Sequence, residues 1–232
     1  MLQNIKTLHG HKLAASDGEI GHVKDFYFDD KTWVVRYLVV DTGSWLPGRL
    51  VLLSPHAFGH WEAEEKILHV KLTRKQIELS PPIESHRPVS RQYETDYYHY
   101  YGWPAYWDGG ALWGLGGYPV VPPPSQDEVA ALQPHHHHPD DKHLRSTAAV
   151  TGYALEAADG MIGHVSGWMV HVKSWAIGDL VVETGHWYAG KEILVSPHTV
   201  ERISGEDSKV FVSLSQADIR RTAENQVARA GT

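Results

Sequence analysis

The chain has 232 residues, no cysteine, a formal net charge of -7 and a mean hydropathy of -0.36. Without cysteine there are no disulfides, thiol nucleophiles or thiolate metal sites, and no apolar run reaches the roughly 20 residues that span a bilayer. Residues 1–80 carry ten Lys/Arg against ten Asp/Glu, residues 81–142 three against eight, and residues 143–232 eight against ten, so no basic stripe is present and nucleic acid is not an expected partner.

The segment Met1-Leu-Gln-Asn-Ile-Lys6 lacks the apolar core of a secretory signal, which predicts a cytoplasmic protein. Asp17-Gly18 follows a first strand-like run and supplies the backbone that a tight hairpin needs. Ile20–Asp29 and Trp33–Asp41 are rich in Val, Ile, Tyr, Phe and Trp and read as strands, with the polar turn Asp29–Thr32 between them. Val34–Val40 is apolar along nearly its whole length, as in a strand covered on most of its length. Gly48–Leu53 is a fourth strand, broken by Ser54-Pro55-His56, and Ile67–Leu72 is a fifth. Thr73 then has the position of a helix N-cap.

The middle of the chain changes character. Ser90–Gly102 reads as one short helix near 90–101, with a stripe at Tyr93, Tyr97 and Tyr101 and a glycine stop. Trp103–Tyr118 is rich in glycine and aromatics, and Pro122–Pro124 and His135–His138 have the composition of a linker.

From Gly152 the first pattern returns, offset by 142 residues and without a gap. Gly18, Ile20, Gly21, His22, Val23, Trp33, Gly43, Trp45, Gly48, Ser54, Pro55 and His56 recur as Gly160, Ile162, Gly163, His164, Val165, Trp175, Gly185, Trp187, Gly190, Ser196, Pro197 and His198. Between Gly10 and Ile77, roughly 25 of about 68 positions are identical to their counterparts, which is an internal repeat. Ser215 and Asp218 have capping-box spacing and open a longer final helix. The predicted organisation is a first barrel over 1–80, an acidic aromatic- and His-rich linker over 81–142, and a second barrel with a C-terminal helix over 143–232. The predicted class is all-β, as two small antiparallel barrels with short helices after each, closure being the usual way for short strands to remove exposed edges.

The order Gly-x-Ile-Gly-x-Val, an apolar strand ending Leu-Val-Val-Asp/Glu, a glycine-rich turn and a strand ending Ser-Pro-His resembles the PRC-barrel family, which includes the cytoplasmic barrel of the photosynthetic reaction-centre H subunit. The resemblance implies a six-stranded antiparallel barrel and a non-catalytic, partner-binding role, and suggests a stress-response setting. No bacteriochlorophyll or quinone site is carried over by it.

The repeated glycines read as turn and bulge positions, because no Gly-Lys-Ser/Thr follows and no helix opens after them. Trp33 and Trp175 are expected to close the barrel ends. The protein-binding candidates are Trp45 and Trp187 in their loops, with Tyr97, Tyr101, Trp103 and Trp107 of the aromatic middle, since exposed aromatics anchor interfaces. The partner expected is an unidentified protein, a second copy, or the other barrel of the same chain. No catalytic residue and no cofactor is expected. The alternative metal reading rests on His135, His136, His137 and His138 beside Asp140, Asp141 and His143, and on His22/His164 and His56/His198 with Asp25, Asp41 or Glu183 nearby. A third alternative is a peripheral membrane or electron-transport accessory like the H subunit.

Overall fold

The computed structural model describes residues 2–62, 64–81, 91–103, 143–185 and 190–230. They form two sheets of seven strands each, with few and short helices, so the all-β expectation holds. The first sheet has the hydrogen-bonded order β5-β4-β3-β2-β7-β6, where β2 is Lys12–Ala15, β3 Gly18–Asp29, β4 Val34–Asp41, β5 Leu50–Leu53, β6 Phe58–Glu62 and β7 Ile67–Val70. The second repeats it as β12-β11-β10-β9-β14-β13, where β9 is Ala154–Ala157, β10 Gly160–His171, β11 Ile177–Thr184, β12 Glu192–Val195, β13 Val200–Ser204 and β14 Lys209–Val212.

Two details of the predicted barrels are corrected. The sheets are not closed: each path ends at β5 and β6, or β12 and β13, strands joined through the turns Pro55–Ala57 and Pro197–Thr199. Proline has no ladder donor, and it turns the chain out of the sheet at that point. Nor is the pairing wholly antiparallel, because β2 pairs β7 and β9 pairs β14 in parallel.

Local chemistry explains the hairpins and caps. At Gly21 an added Cβ would lie 2.0 Å from the carbonyl oxygen of Asp41, and at Gly163 one would lie 2.0 Å from that of Glu183. Glycine is therefore required where β3 crosses β4 and β10 crosses β11. The carboxylates of Asp17 and Asp159, in the β2–β3 and β9–β10 turns, accept hydrogen bonds from the first backbone amides of the helices that follow each sheet, Arg74 N and Gln216 N, at 2.7 and 2.8 Å. Those helices are α1, Arg74–Glu78, and α4, Gln216–Ala230. Thr73 and Gln76 form a full capping box on α1, and Ser215 and Asp218 reproduce it on α4. The helix of the middle segment, α2, is Arg91–Tyr101, and the short helix α3 is Thr147–Val150.

Each sheet gains its seventh strand from the segment that leads into the other repeat. β1, Leu2–Asn4, pairs with β10, in the register Leu2↔His171, Gln3↔Val170 and Asn4↔Met169. β8, Leu144–Ser146, pairs with β3. The chain divides into two compact units accordingly: unit 1 is Met1–His9, Asp25–Arg36 and Arg145–Thr232, and unit 2 is Gly10–Lys24 and Tyr37–Leu144.

Within unit 1 the β3–β4 tip meets the β10–β11 tip. Val34 bridges Ala176, Val35 N donates to Trp175 O at 2.8 Å, and Ile177 N donates to Trp33 O at 2.7 Å. Trp33 and Trp175 take left-handed backbone, with φ of 57° and 56°, and both are buried. Phe26 stacks on Trp175 at 6.0 Å, Phe28 stacks on Trp33 at 5.6 Å, and Phe28 also contacts Trp168 at 4.9 Å. The uncommon backbone is held by this aromatic packing. Beside it, the buried Arg36 guanidinium donates to Thr32 Oγ1 and lies 3.8 Å from Asp29, whose other carboxylate oxygen accepts from Lys31 N and Thr32 N.

Candidate interaction surface

Unit 2 gathers the aromatics of α2 on its sheet. Tyr97 is fully buried. Its hydroxyl accepts from Ser54 N at 2.9 Å and donates to Leu52 O at 3.0 Å, so it completes the hydrogen bonding of the end of β5. Tyr37 donates to the buried carboxylate of Glu94 at 2.9 Å and meets Tyr97 edge to face at 5.5 Å. Tyr93 donates to Pro81 O and Tyr100 to Gln76 O. Burial pushes the phenols of Tyr93, Tyr97 and Tyr101 well above their ordinary titration range. Among the candidate anchors in the described residues, Tyr97 is the fully buried one, packed in the interior of the unit.

At the exposed side of this cluster the rings are half-buried. Tyr101 stacks on Trp103 at 4.5 Å, and Trp103 stacks on the imidazole of His56 at 5.6 Å. His56 has its pKa lowered, by burial first and by the Lys71 ammonium second, so the neutral ring is the one that packs there.

Trp45 is half-buried in the β4–β5 loop, with the Arg74 guanidinium 4.7 Å from its ring centroid, a cation–π geometry. The loop is held by the Thr42 hydroxyl, 2.8 Å from the carbonyls of both Leu46 and Arg49, and by the Arg49 guanidinium, which donates to the carbonyls of Glu78, the last residue of α1, and Ser80 just after it. The Thr lock recurs as Thr184 Oγ1 on Lys191 O at 2.8 Å. Trp187, Trp107 and His135–His138 lie outside the described residues.

Among the described residues, no group of three or more His, Asp or Glu is placed to hold a metal ion. His22, His164 and His198 are exposed. Asp25, weighed above as a metal partner, is instead occupied by hydrogen bonds from Phe26 N, Ser146 Oγ, Thr147 Oγ1 and Ala148 N. The exchanged strands and Asp25 were not legible as an interface in the sequence. The only trace of them is that the 142-residue offset also matches Leu2 to Leu144 and the N-cap Asn4 to the N-cap Ser146.

No helix of the described residues is long and apolar enough to cross a membrane. No curated protein matches the chain. A family model, the PRC-barrel domain, matches residues 9–85. That span covers β2 to β7 and α1, the whole run of the first repeat, and the second sheet has the same strand order. The chain thus carries a PRC-barrel domain at residues 9–85, followed by a second barrel-like sheet consistent with a tandem of PRC-type domains.

Proposed function

We propose that the protein is a non-enzymatic cytoplasmic adaptor that binds a protein partner, or a second copy of itself, through the half-buried aromatics of unit 2. The observation that supports this reading is a set of half-buried rings, each packed against a neighbour: Trp103 on Tyr101 and His56, and Trp45 under Arg74. Interface anchors are typically aromatics and arginines of this kind, preorganised so that little freedom is lost on binding. The PRC-barrel match supports a binding role over catalysis, by fold-level analogy. A stress-response setting belongs to this proposal on the same resemblance.

The test compares the parent chain with Trp45→Ala/Trp103→Ala by native co-purification and crosslinking mass spectrometry from its own cells. The reading expects a specific crosslinked partner, or a specific self-complex, that the double variant loses while keeping its folded spectrum. A chain recovered alone in both forms would overturn it. Recovery with stoichiometric divalent metal that is lost on deleting 135–138 would favour the metal-binding alternative.

A further inference from the structure

We infer that unit 1 contains a twofold interface of the kind homodimers make, built from one chain, and that Asp25 and Gly167 restrict it to pairing of the first repeat with the second. The recognition element of the first repeat is a carboxylate. Its partner must present two hydroxyls and a free helix-starting amide.

The twofold character follows from the 142-residue offset. Val34 faces Ala176, its own counterpart. Val35 bonds Trp175, and the counterpart of Val35, Ile177, bonds Trp33, the counterpart of Trp175. The leading strand β1 joins β10, and its counterpart β8 joins β3. An interface in which i contacts j and j contacts i is isologous.

The polar contacts, however, are one-sided. On one side Asp25, nearly buried, accepts from Ser146 Oγ, from Thr147 Oγ1 at 2.9 Å and from Ala148 N at 3.0 Å. Asp30 accepts from Arg145 Nε at 2.8 Å. On the other side the counterparts of these residues are Gly167, Asn4, Ile5, Lys6, Val172 and Gln3. Ile5 is buried and apolar where Thr147 is a buried hydroxyl. Gly167 has no side chain to match the Asp25 carboxylate, and the space beside it is taken: an added Cβ there would lie 3.3 Å from Asn4 Oδ1, so Asn4 must shift to admit one, and that oxygen already caps Lys6 N at 2.9 Å.

Pairing two first repeats would therefore set the Asp25 carboxylate against Asn4 and Ile5, a buried charge without its hydroxyl donors. Pairing two second repeats would leave the Ser146 and Thr147 hydroxyls facing a glycine, with the buried Thr147 donor unsatisfied. Both like-with-like pairings are penalised, and only the mixed one is satisfied on both sides. Specificity here comes from what the wrong pairing leaves unpaired.

The test uses the full-length chain and reads hydrogen exchange at residues 2–4 and 169–171, where β1 pairs β10. Gly167→Asp should accelerate exchange there about tenfold or more, while Asn4→Ser/Ile5→Thr/Gly167→Asp, which copies the Asp25 side, should recover most of the protection. The mirror experiment reads residues 144–148. Asp25→Gly should accelerate exchange there, and Asp25→Gly/Ser146→Asn/Thr147→Ile should recover it, so one arm remains informative if a variant of the other does not fold. Single variants that exchange like the parent, or compensated variants no better protected than the single ones, would overturn the inference.

Discussion

Tyr97 shows how a residue that reads as a sticky surface aromatic becomes structural. Its hydroxyl serves the Ser54 amide and the Leu52 carbonyl in a fully buried position. Tyr97→Phe keeps the ring and strands the Ser54 N–H, so it is expected to cost about 1–3 kcal/mol in chemical denaturation. Gly21→Ala and Gly163→Ala each force a Cβ against a carbonyl oxygen 2.0 Å away. Each is expected to cost about 3 kcal/mol or more, at the severe end of single substitutions, and to lower the thermal midpoint accordingly. The glycines were legible in sequence because backbone needs are local and recurred at both copies. Tyr97 was not legible as buried, since the i, i+4 stripe of Tyr93, Tyr97 and Tyr101 fits an inner face and an outer face equally well.

At the scale of elements, α2 is joined to its sheet through polar as well as apolar contacts, and the stack of Tyr101, Trp103 and His56 is where its chain end meets the β5–β6 turn. The pH dependence follows from His56 and His11, whose folded pKa values are both lowered from the ordinary 6.5, by burial first and by a neighbouring lysine second. The unfolded chain then takes up protons near 6.5 while the folded one resists. The contribution of these rings to stability is complete above that value and is lost as the pH falls through it towards the lower folded values. Denaturation midpoints measured from pH 8 to pH 5 should fall below about pH 6.5, and more shallowly in His56→Gln. The capped helices were readable beforehand, from Thr73 as an N-cap and from Ser215 with Asp218 three residues on, and the structure adds Gln76 as the partner of Thr73. That Asp17 and Asp159 also bond the starts of those helices needs a contact across 57 residues, and no local pattern encodes it.

At the scale of the molecule, the repeat was visible in the sequence and its crossing was not. Strand exchange between β1 and β10, and between β8 and β3, leaves the periodicity of either copy unchanged, so hydrophobic patterning gives no sign of which sheet a leading strand joins. Closure was expected from the need to protect edges, whereas each sheet is an open path that takes one further strand, β8 or β1, on its long strand β3 or β10. The most direct test of the interlocking uses the absence of cysteine. Val34 and Ala176 form an antiparallel bridge with the hydrogen bonds on either side of it, the close-set pair geometry suited to a disulfide. In Val34→Cys/Ala176→Cys, mild oxidation of dilute protein should give one disulfide within a single chain, seen by non-reducing electrophoresis and intact mass. No bond under those conditions, or bonds only between chains, would contradict the interlocked unit.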